Sequence, residues 1–255
     1  MSADLSTART HAARLVTLHQ QGLLVLPNAW DAASARLVAE AGFPVVATAS
    51  NAISAVLGHP DGEGVPVDEM FAATATIARV VDVPVTMDAE GGYGLAAAEL
   101  VDRLLSAGAV GCNLEDTDRA GGLEDAGAQA DWLAEVRAAA TAAGVPIVIN
   151  ARIDAFLPTS GIAPDAAVAE TVRRAAHDTD AGVDCLYPIG MASREQVAAV
   201  VEQVRLPVNA NPSPALGLAD LAALGVRRAS YGPQLYRAAL EGVRERLATI
   251  AASLP

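Results

Sequence analysis

A chain of 255 residues, 52% apolar and only 4% aromatic, has material for one large core built mostly from Ala, Val, Leu and Ile. Its formal net charge of -13 argues against nucleic acid or an anionic membrane as partner, while a few arginines or a metal can still hold an anionic small molecule locally. All 17 basic residues are arginine, so Schiff-base chemistry, a P-loop lysine and a covalently held pyridoxal cofactor are excluded.

Residues 4–20 have the spacing of an amphipathic helix, with Leu5, Ala8, Ala12, Leu15, Val16 and His19 along it. A strand at Leu23–Ala29 leads through Trp30 and Asp31 to a helix over 32–41, stopped by Gly42. A second strand, Val45–Ala49, runs into a polar loop holding Asn51, His59, Asp61, Gly62, Glu63 and Gly64. That loop is longer than an ordinary βα connection, and such loops are often functional. After a helix over about 67–81 comes Pro84-Val85-Thr86-Met87, an extended run that ends in Asp88 and Glu90. Gly91, Gly92 and Gly94 turn the chain into a helix over 95–107.

The pattern then repeats. Strand 109–115 ends in Glu115-Asp116, and a loop with Asp118, Arg119, Gly121 and Gly122 precedes helix 127–143. Strand Pro146–Ala151 ends in Arg152 and Asp154, and is followed by helix 164–181, strand Asp184–Pro188 and helix 193–203. Strand Pro207–Asn211, a short helix 217–224, strand Arg228–Tyr231 and a helix from about 234 to 252 complete the chain. Eight strand–helix units in this length predict a single α/β domain over residues 1–255, a (β/α)8 (TIM) barrel with an N-terminal helix. An open doubly wound sheet would carry a glycine-rich turn after its first strand, and Leu26-Pro27-Asn28-Ala29-Trp30 is not one.

Cys112 and Cys185 each sit in an apolar, strand-like run and are expected to be buried reduced thiols of a cytoplasmic protein. No Cys-x-x-Cys or histidine-rich pattern points to zinc. The N-terminus lacks an apolar signal core, and no run is long enough to span a membrane.

In a barrel the strand C-terminal ends face the active site. Here they carry polar residues at i and i+2: Asp88/Glu90, Asn113/Glu115, Asn150/Arg152 and Asn209/Asn211. Period two puts each pair on one face. Asp88, Glu90, Glu115 and Asp61 then form a ring of oxygen donors suited to Mg²⁺ or Mn²⁺. Arg152 points into the same mouth and suits a substrate carboxylate or a developing enolate oxygen, and Thr48 and Ser50 could donate to a carboxylate. Taken alone, Asp61 is also an ordinary turn residue and His59 is as ambiguous; His11, His19 and His177 read as helix residues without a role.

Three motifs in order, Met87-Asp88-Ala89-Glu90-Gly91-Gly92-Tyr93-Gly94, Leu114-Glu115-Asp116 and Ala151-Arg152-Ile153-Asp154-Ala155, resemble the isocitrate lyase/phosphoenolpyruvate mutase superfamily. Residues 54–61 and 209–213 support the resemblance. It implies Mg²⁺-dependent making or breaking of a C–C or P–C bond beside a 2-oxo acid, through an enolate. It also implies Asp88 as the direct metal ligand, with Asp61, Glu90 and Glu115 acting mainly through waters. Arg152 matches the substrate-binding arginine, Thr48, Ala49 and Ser50 the cradle of the 2-oxo acid carboxylate, and Asn211 and Ser213 a second carboxylate-binding segment. Glu90 stands where an aspartate is commoner.

The departures bear on the reaction. The lyases carry a lid with a cysteine acid after the Glu-Asp motif; residues 117–122 here read Thr-Asp-Arg-Ala-Gly-Gly, and the mutase's longer lid is missing too. Ile189 stands where the lyases have a glutamate. The expected activity is C–C cleavage of a 2-oxo or 2-hydroxy (di)carboxylate by a homo-oligomer, with Arg152, Glu115 and Asp61 as catalytic residues. The rivals are a phosphonopyruvate hydrolase or phosphoenolpyruvate mutase, and a non-catalytic 2-oxo acid binder.

Overall fold

The computed structural model of the chain describes residues 5–118 and 120–254; Arg119, in the loop after the Glu-Asp motif, lies outside the described residues. Helix α1 (Leu5–Leu18) precedes a first strand that Pro27 divides into β1 (Leu24–Leu26) and β2 (Asn28–Ala29). Proline has no N–H for a ladder, so the segment changes partner there. Before it, β1 pairs in parallel with β9 (Arg228–Ser230); after it, β2 pairs with β3 (Val46–Thr48). From β3 the order runs through β4 (Val85–Asp88), β5 (Ala109–Glu115), β6 (Val148–Ile153) and β7 (Cys185–Pro188). A parallel bridge from Leu186 to Val208 leads to β8 (Asn209–Ala210), which pairs with β9. Counting β1 and β2 as one strand, this is a closed, all-parallel eight-stranded barrel, the predicted architecture.

The strands are buried on both faces: β5 is covered along Ala109–Leu114, by the barrel interior on one side and helices on the other. Of those helices, α5 (Ala97–Ser106) and α6 (Ala126–Ala142) turn Leu100, Leu104, Leu133 and Val136 wholly inward. Gly111 faces the barrel interior, where a β-carbon would lie 2.9 Å from Leu15 of α1 and 3.1 Å from the Thr86 hydroxyl. The N-terminal helix thus closes the barrel end opposite the strand tips. Both cysteines are free and buried, as expected. No helix among the described residues is long and apolar enough to cross a membrane.

Two segments depart from the sequence expectation. The polar loop after β3 begins as a helix, α3 (Ser50–Leu57), whose fully buried Ala52 and nearly buried Ile53 and Ser54 pack inward. Period-two extension also stops at Asp88: Glu90 has φ +49°, so its side chain is set by a turn and not by the pleat. After β9, helix α10 (Gln234–Ala251) has no buried residue, although Tyr236 near its start packs edge-on against Trp30 at 5.3 Å between ring centroids.

Candidate active site

Parallel register lines up the polar residues in rows across the strands. Asp88 of β4 lies beside Asn113 of β5, which lies beside Asn150 of β6; one row further out, Glu115 lies beside Arg152, and Arg152 beside Tyr187 of β7. These are neighbours in space because residues two apart on each strand share a face. The structure therefore brings Asp88, Glu90, Glu115 and Arg152 to one rim, the C-terminal mouth of the barrel.

Asp88 is held from three sides. Its Oδ2 accepts from the Ser50 hydroxyl at 2.7 Å and the Ser50 backbone N–H at 3.1 Å, and its Oδ1 accepts from Asn113 Nδ2 at 3.4 Å. Its own N–H donates to Thr48 Oγ1 at 2.9 Å. Ser50 opens α3, so the carboxylate sits at a helix N-terminus, where negative charge is favoured. The Ser50 proton expected for a substrate carboxylate is thus engaged by Asp88. Thr48 accepts only, and its hydroxyl proton remains available.

Glu90 is almost wholly buried, and its Oε1 accepts from the backbone N–H groups of Gly62 and Glu63 at 3.0 and 2.9 Å. Its Oε2 accepts from the Tyr93 hydroxyl, and Tyr93 N–H donates to Glu63 Oε1 at 2.6 Å. Each loop thus supplies a glutamate to the other's backbone. Burial raises the Glu90 carboxyl above its ordinary value, Tyr93 and the backbone N–H groups oppose the shift, and Asp88 and Asp61 add to it. Asp61 sits on the clasped loop, its Oδ2 accepting from Asn51 Nδ2 at 2.9 Å. Sequence reading missed Tyr93 and Glu63 as parts of the site. Tyr93 lay inside the quoted motif, but only the fold brings Glu63 to it.

Arg152 is gripped by Asp154 through two parallel bonds, Nε to Oδ1 at 2.7 Å and Nη2 to Oδ2 at 2.8 Å, and its Nη1 meets Glu115. Burial works against the guanidinium charge, but Glu115, Asp154 and Asp88 outweigh it and raise its pKa. Burial also pushes the Glu115 carboxyl up, to about 8; Arg152 opposes this, while Asp154, Asp88 and Glu90 add to it. One guanidinium shared by two carboxylates cannot offset the surrounding acids. Asp154 is fixed in turn: its N–H donates to Asp116 Oδ1 at 2.8 Å, and Asp116 Oδ2 accepts from Arg174 of α7 (Ala167–Asp180) at 3.0 Å.

Ala49 is buried at the end of β3. Asn211, just past β8, accepts from Tyr187 OH at 2.9 Å and donates to the Ser230 carbonyl at 2.7 Å. Ser213 is exposed and closes a tight turn, its Oγ accepting from Leu216 N–H at 3.1 Å. A cavity of about 490 Å³ opens beside Glu115, lined also by Gly62, Glu63, Gly91, Thr117 and Trp132. Gly92 has φ +86°, and a β-carbon there would lie 2.5 Å from the Trp132 ring, so glycine alone lets this wall close up.

Among the described residues no three Asp, Glu, His or Cys side chains converge as a ready-made metal cage. The donor set at the mouth is nevertheless all oxygen, and Asp88 and Asp61 lie close enough to help raise the Glu90 carboxyl. It fits a hard divalent cation held by one or two carboxylates and otherwise by water.

Fold and site together define a barrel enzyme whose chemistry lies at the strand C-terminal ends. The chain belongs to the phosphoenolpyruvate phosphomutase family, whose model matches residues 15–251, and so to the phosphoenolpyruvate mutase/isocitrate lyase superfamily that its motifs resemble. It is 32% identical over 225 residues to an uncharacterised protein of Mycobacterium tuberculosis strain H37Rv, covering 88% of this chain and 83% of that one. It is 30% identical over 237 residues to the oxaloacetate decarboxylase of Bradyrhizobium diazoefficiens, covering 89% and 80%. A Burkholderia cenocepacia J2315 structure provisionally described as a phosphonomutase superposes with TM-score 0.87 at 36% identity, over 94% of this chain and 99% of that one.

Proposed function

We propose that the protein is a Mg²⁺- or Mn²⁺-dependent lyase that cleaves a C–C bond of a 2-oxo or 2-hydroxy (di)carboxylate, by decarboxylation or retro-aldol cleavage. The observation that carries this reading is the meeting of Asp88, Glu90, Glu115 and Arg152 at one barrel mouth. Kinship with an oxaloacetate decarboxylase supports it.

Asp88 would hold the cation directly, with Asp61, Glu90 and Glu115 acting through water. When bound, such a cation polarises the 2-oxo carbonyl and stabilises the enolate left when the bond breaks. The chain's residues do the rest. Arg152 has three of its five donors committed to Asp154 and Glu115, and its remaining N–H groups stabilise negative charge developing on oxygen. Thr48 donates its free hydroxyl proton to the 2-oxo acid carboxylate, beside Ala49 and the Ser50 backbone. Asn211 and Ser213 serve the far end of the substrate. The enolate carbon takes its proton from water in the cavity beside Glu115.

The two buried free thiols support a reducing, cytoplasmic setting. Helix α10 supports a homo-oligomer, since Leu240, Val243, Leu247 and Ile250 along it are 45–59% exposed.

The test is release of pyruvate or glyoxylate from a panel of 2-oxo and 2-hydroxy diacids, oxaloacetate included, with Mg²⁺ and with chelator. Turnover that needs the metal is expected. Tight oxalate binding without turnover of any acid would make the protein a binder instead. P–C chemistry is the second reading, favoured by the phosphomutase family match; phosphonopyruvate turnover followed by phosphorus NMR separates it from the first.

A further inference from the structure

Arg228 is the largest wholly buried side chain of the described residues, and it extends from β9 into the barrel beneath the site. Its Nη2 donates to Asn113 Oδ1 at 3.1 Å, and its Nη1 lies 3.4 Å from His19 Nε2. His19 Nδ1 lies 2.8 Å from the Leu15 carbonyl, which can only accept, so the proton sits on Nδ1 and Nε2 is the acceptor for Arg228. Burial and the neighbouring guanidinium push His19 down to about 4, so this partner is neutral. Among the described residues no carboxylate forms an ion pair with Arg228, and its Nε has no hydrogen-bond partner. A buried cation with only neutral contacts is costly to keep.

Its position explains what it does. Asn113 Oδ1 accepts both from Arg228 and from Asn150 Nδ2, the latter at 2.8 Å. Two donors on one atom make that atom the oxygen, so Nδ2 must face the other way, toward Asp88 Oδ1. A positive charge behind an amide also strengthens the bond that the amide donates in front.

We propose that Arg228 is a positioning residue, which acts through Asn113: it fixes the Asn113 amide so that its N–H faces Asp88, and sets a permanent positive charge under the acidic mouth. The orientation role stands on its own; its effect on turnover rests on the lyase reading.

The experiment uses the full chain labelled with ¹⁵N. In Arg228→Met, the Asn113 side-chain amide signal is expected to shift away from its wild-type position, and kcat to fall by about tenfold or more with a smaller change in KM. Arg228→Lys is expected to recover part of both. An Asn113 amide signal unmoved in folded Arg228→Met overturns the proposal, whether or not the protein has lyase activity. Absence of turnover in the wild type strikes the lyase reading alone. Should Arg228→Met not fold, Asn113→Asp decides: it gives the buried cation a carboxylate but removes the donor to Asp88. It is expected to raise the melting temperature while lowering kcat, and a melting temperature that stays or falls overturns the proposal.

Discussion

Glu63, Glu90 and Tyr93 are the non-glycine residues with positive φ among those described, at +58°, +49° and +59°. Each such residue costs on the order of 1 kcal/mol, and all three belong to the clasp that ties the Asp61 loop to the Glu90 turn. Strain gathered in one place is held there by hydrogen bonds to backbone N–H groups that few other residues could satisfy. Glutamate suits the buried position 90, because its extra methylene lets one carboxylate span Gly62, Glu63 and Tyr93 at once.

Glu115 gives the site a pH dependence. Its folded carboxyl is raised to about 8, chiefly by burial, and a cation binds best once that proton has left. Mg²⁺ affinity is therefore expected to climb with pH, by up to about tenfold per unit below about pH 8, and to level off above it. Calorimetric titrations across this range check the slope. Glu115→Gln should flatten it, and an unchanged slope in that variant would assign the proton elsewhere.

At the scale of elements, α7 braces the strand tips from behind. Arg174 joins Asp116, the Glu124 carbonyl and Glu170, and Asp116 carries the brace to the Asp154 backbone beside Arg152. Asp178, one helical turn from Arg174, is buried in the same region and raised to about 7, first by desolvation and then by Asp116. A carboxyl raised on folding contributes full stability below its unfolded value, and that contribution is lost as pH climbs through the folded value. Between about pH 4 and pH 7 Asp178 should thus remove up to roughly 4 kcal/mol. Asp178→Asn is expected to raise the melting temperature, more at pH 8 than at pH 5; thermal melts at both, with an equal gain at each, would refute this.

Sequence periodicity located nearly every strand and helix, because the pleat and the helical face leave their spacing in the chain. It failed at α3, where Asn51 reads as the start of a polar loop and Ser50 as a strand end, although this turn is helical, packs against the barrel and has its first N–H capped on Asp88. It also failed at His19, which reads as one more residue of α1 until the barrel brings Arg228 to it across 209 positions of sequence.

At the scale of the molecule, the mouth is closed by Asn28, whose Nδ2 donates to the Thr48 carbonyl while its Oδ1 accepts from Tyr231 and Gly232 N–H at 2.8 Å each. First and last strands are thereby tied at the rim. Beyond them, α10 exposes Leu240, Val243, Leu247 and Ile250 at spacings of three and four, a single apolar stripe. If the stripe pairs with a second copy as proposed, replacing Val243 and Leu247 together by glutamate is expected to leave the circular dichroism of the barrel intact and to give monomers in light scattering. A wild type that is itself monomeric would show that the stripe has no second copy to cover it.

The chain by itself determined the barrel, the acids at its strand tips and the guanidinium among them, since alternating residues on a parallel strand must face one way and the strand ends must meet. Tertiary structure decided the rest: that Glu90 turns off its strand into a clasp, that Asp154 and Asp116 hold Arg152 from behind, and that Arg228 lies beneath Asn113. Those contacts join residues far apart in the chain, and side chains from separate strands acquire a common neighbourhood only when the sheet closes.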